Sequence, residues 1–191
     1  MSIAAFSIGV IINSYAINRD MKMDIIENWK EIRELFKSSF KSSFHYSIAT
    51  VSQDGSPHIT PIGSLILRKP GHAIYFEEFT HRLPSKESQK VCVLAVNSSK
   101  LFWLKALLFG VFSKPPAIRL YGVLGKRREA TEKEIMLWQK RVKSVSFTKG
   151  HEMMWANMRT VREIEFNKAE PVHMGKITQK VWRELSQINS A

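Results

Sequence analysis

The chain has 191 residues, 44% hydrophobic and 24% charged, enough for one domain with a real core, too few for two comfortable ones, and unlike a disordered composition. Twenty-nine Lys and Arg against seventeen Asp and Glu give a formal charge of +12, which favours anionic ligands, nucleic acid or acidic membrane surfaces without choosing among them. The single cysteine, Cys92 in VCVLAV, excludes an intramolecular disulfide, reads as a small buried hydrophobe in a reducing, cytoplasmic setting, and is joined by no CxxC or paired-histidine spacing that would build a metal site.

Residues 1–20 read as an apolar N-terminal extension. MSIAAFSIGVIINSYAIN carries no charge but lacks the basic leading region and cleavage site of a signal peptide. An upstream extension from a misplaced start codon, a weakly ordered arm and a membrane anchor are the open readings, the span being at the short end of what crosses a bilayer. A single domain over 21–191 then opens with an amphipathic helix, where Ile25, Trp29, Ile32 and Phe36 recur at three- and four-residue intervals between lysines and glutamates. After KSSFKSSF the period changes. HYSIATV, HITPIGSLIL, HAIYFEEF, KVCVLAV and AIRLYGVLG are β-favouring runs with turn signals between them, including Asp54-Gly55 and the KPG at 69–71. Short connections between such runs predict a closed or nearly closed antiparallel barrel.

LFWLKALLFGVF at 101–112 lies in an insertion near 99–116; it is interrupted by Lys105 and too short to span a bilayer, and could pack on a partner subunit or line a substrate entrance. ATEKEIMLWQKRV predicts a helix with Thr131 and Glu134 in capping-box spacing and Ile135, Trp138 and Val142 on one face. FTKGHEMMWANMR has no clean period. A last strand fits RTVREIEFNKAEPVHM, where Arg162, Ile164 and Phe166 alternate with acidic residues.

Two stretches carry candidate chemistry. In ATVSQDGSPHITPIGSL, alternation puts His58, Thr60, Ser64 and Arg68 on one face, expected to look outward, and Ile59, Leu65 and Leu67 on the other. Pro61 has no N–H to give a ladder. With Gly63 it marks either a broken ladder whose free main-chain groups bind a flat polar ligand, or a plain edge strand or barrel bend. In FEEFTHRLPSKESQK, Thr80, His81 and Arg82 lead into Pro84, with Ser85 and Lys86 in the first turn of a short helix. A helix start flanked by a hydroxyl, a guanidinium and an ammonium suits a phosphate dianion; an ordinary solvated loop is the competing reading. Neither GxxxxGK nor GxGxxG is present.

The order IATVSQDGSPHITPIGSL, AIYFEEFTHRLPSK, KVCVLAVNSS resembles the pyridoxamine 5′-phosphate oxidase-like family of FMN-binding split barrels, well over residues 44–98 and loosely beyond. The resemblance implies a mainly β, α+β fold, a six-stranded antiparallel split β-barrel with flanking helices, and a homodimer with FMN at the subunit interface. It implies that Ile59, Thr60 and Pro61 line the isoalloxazine ring with His58 close by, and that Thr80, Arg82, Ser85 and Lys86 hold the ribityl phosphate. RLPSK stands where the family often has a Ser-Arg-Lys triplet, and the vitamin B6-binding C-terminal pattern is missing. The expected function is an FMN-dependent oxidoreductase moving a hydride or electrons to or from a small molecule. The alternative is a flavin or related cofactor carrier or sensor without turnover; deazaflavin and haem are used by some relatives. Trp155, Met158 and Arg159 could reach the partner's flavin, the tryptophan also reading as core. A third possibility gives the basic, aromatic surface at 102–128 to nucleic acid or anionic lipid.

Overall fold

In the computed structural model the described residues are 23–52, 54–77 and 89–188. The apolar extension at 1–20 and the phosphate-loop candidates Thr80, Arg82, Ser85 and Lys86 lie outside them.

The first helix, α1 (Trp29–Ser43), buries Trp29, Ile32 and Phe36, with Ile25 tucked in from the preceding turn. The expected stripe is therefore the face that meets the sheet, and the indole of Trp29 donates to Arg68 O at 3.1 Å. The sheet follows as β1 (Tyr46–Val51), β2 (Pro57–Ile62), β3 (Ile66–Leu67), β4 (His72–Phe76), β5 (Lys90–Val96), β6 (Ala117–Glu129) and β7 (Thr160–Pro171). Helices α2 (Lys100–Phe109), α3 (Glu132–Val142), α4 (Lys149–Met154) and α5 (Lys176–Ile188) complete the chain. Both α4, in the stretch without a period, and α5 are additions to the sequence reading.

The strands form one antiparallel sheet in the order β2-β1-β5-β6-β7-β4-β3, an α+β architecture of the expected class. The described residues form seven strands and not six, because HITPIGSLIL divides into β2 and β3 at residues 63–65. Among the described residues no ladder closes the sheet, and β2 and β3 are its two edges. Ser64 spans the gap. Its hydroxyl donates to Phe76 O at 2.8 Å and accepts from Phe76 N at 3.1 Å. One side chain thus satisfies both main-chain groups of Phe76 where the β3–β4 register would otherwise continue, so the chain can leave that ladder toward β2 without orphaning them. At Gly63 a Cβ would stand 2.8 Å from Phe44 O, so that exit requires glycine.

The barrel interior holds the main core, with Ile48, Val93, Leu120 and Ile164 fully buried beneath α1. A second core lies on the other side of β4 and β7, where Ile74, Phe76 and Val161 meet Trp138, Val142 and Met158. The rings of Phe76 and Trp138 are 5.8 Å apart, and Trp138 donates to Trp155 O at 3.2 Å. Trp155 and Met158 are therefore packing residues of this chain. Arg141 of α3 ties the two regions, lying 3.8 Å over the Phe40 ring and donating to Leu65 O and to the Tyr46 hydroxyl.

Helix α3 begins with the capping box expected at Thr131 and Glu134. Glu134 is buried, and it takes both guanidinium arms of Arg128 at 2.9 Å. The Arg128 hydrogen bonds, helped by the Thr131 N–H, hold its carboxyl down at about 2, against an ordinary value near 4.5. A carboxyl with a depressed folded pKa adds stability that is complete above its ordinary value and is lost as pH falls through the folded one. Glu134→Gln should therefore cost on the order of 2–3 kcal/mol at neutral pH, with the deficit shrinking between about pH 4.5 and pH 2. Urea unfolding of parent and variant across that range checks it; a deficit unchanged at pH 2 contradicts it.

Candidate functional site

The β1–β2 register decides which way each candidate faces. Thr50 pairs with His58, Ile48 with Thr60 and Tyr46 with Ile62, and Tyr46, Ile48 and Thr50 are buried in the barrel. Paired residues share a face, so His58 and Thr60 point inward, half-buried, with His58 Nε2 and Thr60 Oγ1 3.0 Å apart. Ser64, which alternation groups with them, is buried too. This corrects the expected outward polar face. Ile59, expected inside, is 67% exposed, and Pro61 is exposed beside it. Hydrophobicity alone puts Ile59 inside, whereas an edge strand at a barrel split can turn an apolar residue out.

Pro61 sits on the outermost strand of the sheet, where a missing N–H costs no second ladder. The plain edge-strand reading of its backbone is thus sufficient. What the edge exposes is more informative, because the register continues across four further strands. Ile59 pairs with Ala49, Ala49 with Cys92, Cys92 with Tyr121, and Tyr121 with Lys168. One step along, Pro61 pairs with Ser47, Ser47 with Leu94, Leu94 with Arg119, and Arg119 with Glu170. These two rows lie on the outer face of the sheet.

Most of the floor of that face is low: Ser47, Ala49 and Cys92 are small and half-exposed, and the larger Leu94 stands beside Ser47. Cys92, expected to be buried, lies on the outer side because Val91, Val93 and Ala95 take the inner one. On one side of the floor stand Ile59 and Pro61. On the other stand Arg119, Tyr121, Lys168 and Glu170, with the Lys168 ammonium 5.3 Å from the Tyr121 ring and ion-paired to Glu170. Burial, then the bond to Glu170, pushes the Tyr121 hydroxyl up to about 12. Bonds from Lys168 and Tyr121 hold the Glu170 carboxyl below its usual range, and burial pushes the Cys92 thiol up. Tyr121 therefore stays protonated with its hydroxyl given to Glu170, and Cys92 is a thiol and not a thiolate.

A β-bulge builds the charged wall. The β6–β7 register shifts between Tyr121 and Gly122, so that Tyr121 pairs with Lys168 but Gly122 pairs with Phe166. Without the extra residue, Phe166 and Lys168 would share a face; with it, Phe166 stays in the core and Lys168 turns out. A Cβ on Gly122 would lie 2.1 Å from Glu165 O, so the bulge needs glycine. None of Arg119, Tyr121, Lys168 and Glu170 carries a sequence motif.

The connection that holds the phosphate candidates is described at its two ends. Its first end is Glu77, which closes a charge cluster. Arg127 and Arg162 are opposite each other in the β6–β7 ladder, and the Glu77 carboxylate lies 3.0 Å from Arg127 Nε and 3.4 Å from Arg162 Nε, and accepts from the Tyr75 hydroxyl at 3.3 Å. Burial first, and then that carboxylate, pushes the Tyr75 hydroxyl well above its usual value. At the other end, Gln89 donates from its side chain to Val51 O. Lys90 then enters β5 two residues before Cys92, about 7 Å along a strand. In the sequence Lys86 stands six residues before Cys92.

A cavity of about 300 Å³ lies elsewhere, between α1, residues 113–115 and α5. None of the candidate residues lines it. Among the described residues no cluster of His, Cys, Asp and Glu could hold a metal ion, and no helix is long and apolar enough to cross a membrane.

No family model and no curated relative matches the chain. Among solved structures it is similar to HupZ of Group A Streptococcus, with 15% identity over 75% of this chain and 94% of that one and a TM-score of 0.48. An FMN-binding protein of Syntrophomonas wolfei is 18% identical over 77% and 93%, with a TM-score of 0.46. A Lactobacillus delbrueckii structure, provisionally assigned as a pyridoxamine 5′-phosphate oxidase, is 18% identical over 72% and 88%, with a TM-score of 0.40. All three are no more than 18% identical to this chain, and the likeness is one of fold alone.

Proposed function

We propose that the chain binds FMN on the outer face of β2, β1, β5 and β6 and acts as an FMN-dependent oxidoreductase on a small molecule. The observation that carries this reading is the floor of Ser47, Ala49, Cys92 and Leu94 between an apolar and a charged wall. A planar ring needs a flat floor, and its polar edge needs donors. Arg119 and Lys168 supply them. Thr80, Arg82, Ser85 and Lys86 supply phosphate-binding chemistry at the other end. Bound flavin brings the hydride or electron chemistry, while this chain's residues bind, orient and shield it. His58, turned inward and bonded to Thr60, positions the strand.

An open face covers one side of a planar ligand, whereas small-molecule sites bury most of the ligand surface. A second copy of the chain closing over the face completes the site, which supports the homodimer.

Arg82→Ala should weaken FMN binding by at least about tenfold, the worth of one charge-assisted phosphate contact, and leave the unfolding midpoint unchanged. Titration of both proteins, followed by the quenching of flavin fluorescence, measures it; equal affinities overturn the phosphate assignment. Stoichiometric FMN that neither nicotinamide cofactor nor the flavin's other donors reduce would favour a carrier or sensor over an enzyme.

A further inference from the structure

Helix α2 (Lys100–Phe109) is firmly attached and mostly uncovered. Ala106 is buried, the Phe102 and Trp103 rings each stand 5.2 Å from that of Phe112, and Trp103 donates to Asn97 O at 2.6 Å. Phe112 N in turn donates to Ile177 O of α5 at 3.2 Å. These contacts use one side of the helix. On the other, Leu101, Leu104 and Leu108 recur at three- and four-residue spacing, and with Leu107 and Phe109 each is more than half exposed. Scattered surface leucines need no explanation, but a contiguous ridge of this kind marks a contact site.

Charge selects what covers it. Lys100 and Lys105 flank the ridge. The helix itself carries no Asp or Glu to offset them. A two-fold contact between copies through this ridge would bring four lysines, two from each copy, to one apolar seam with no acidic residue on the helix to pair them. Anionic headgroups would instead neutralise them while the leucines enter the acyl boundary. Ten residues make a helix about 15 Å long, half the roughly 30 Å hydrocarbon layer, so it would lie flat in the interface and not cross it.

We propose that α2 is a docking helix for anionic lipid surfaces, inserting Leu101, Leu104 and Leu108 with Lys100 and Lys105 at the headgroups. The proposal is independent of flavin binding, and its test is co-sedimentation of the full chain with vesicles of phosphatidylcholine alone or mixed with phosphatidylglycerol, at low and high salt. The expected result is salt-sensitive binding to the mixed vesicles. Leu104→Asp/Leu108→Asp should weaken it at least about tenfold, and Lys100→Glu/Lys105→Glu should remove the preference for anionic lipid. Both variants change exposed positions, and unfolding midpoints equal to the parent's confirm intact folds. Undiminished vesicle binding by the leucine variant overturns the proposal, because the contact then lies elsewhere. So does conversion of a parent dimer to a monomer by that variant in sedimentation velocity, which gives the ridge to a second copy. Binding of a DNA duplex but not of vesicles also overturns it.

Discussion

Replacing Glu77 by glutamine should destabilise the protein by about 3–5 kcal/mol, the usual cost of removing one partner from a buried ion pair. The reason is the β6–β7 register, which sets Arg127 and Arg162 directly opposite each other, and like charges across a ladder repel. Glu77 is the carboxylate that both guanidiniums share. Arg127 is largely exposed, so water screens its share; the Arg162 side chain is 3% exposed and carries most of the effect. A domain of this size has roughly 5–15 kcal/mol of stability in all, so the variant should unfold at a visibly lower urea concentration. Pairing with Arg162→Leu separates the causes, since removing the buried charge as well should recover much of the loss. A loss below about 1 kcal/mol for Glu77→Gln would show that the cluster is fully hydrated.

Ala49→Trp should abolish FMN binding, with affinity falling at least about a hundredfold, the equivalent of some 2.7 kcal/mol. Ala49 lies in the floor of the outer face, between Ile59 and Cys92 in the register, and an indole there would occupy the space proposed for the flavin ring. Its side chain leaves the sheet on the side opposite Ile48 and Thr50, which are buried, so the barrel core need not move and the unfolding midpoint should stay within a few degrees. Flavin-fluorescence titration with near-ultraviolet circular dichroism on the same samples decides the matter. Unchanged affinity in a folded variant would move the ring off this face, whereas Arg82→Ala would still report on the phosphate. The two variants test opposite ends of one ligand.

Several elements are legible in the order of the residues because their causes are local. The α1 stripe, the Thr131–Glu134 capping box and the last strand all lie where the spacing puts them. Each rests on neighbours within four residues, where periodicity and short-range hydrogen bonds act. Gly63 and Pro61 are visible as irregularities, but their meaning is not. The division of one β-run into two strands depends on Ser64 meeting Phe76, a partner twelve residues away. Similarly, alternation shows that His58 and Ile59 point to opposite sides without saying which side is inside. The buried Thr50 and Ile48 across the ladder decide it.

By itself the sequence determined the alternation of β2, the turn residues around it, the helix faces, the cationic composition of the 80–86 segment and the excess of positive charge, all of them properties of adjacent residues. The tertiary structure alone decided that Ile59, Ala49, Cys92, Tyr121 and Lys168 form one outer row, that a bulge at Gly122 turns Lys168 outward, and that Glu77 stands between two arginines. Those outcomes follow from strand register, which joins residues distant in the chain, and a one-residue shift in register exchanges the two faces of a strand.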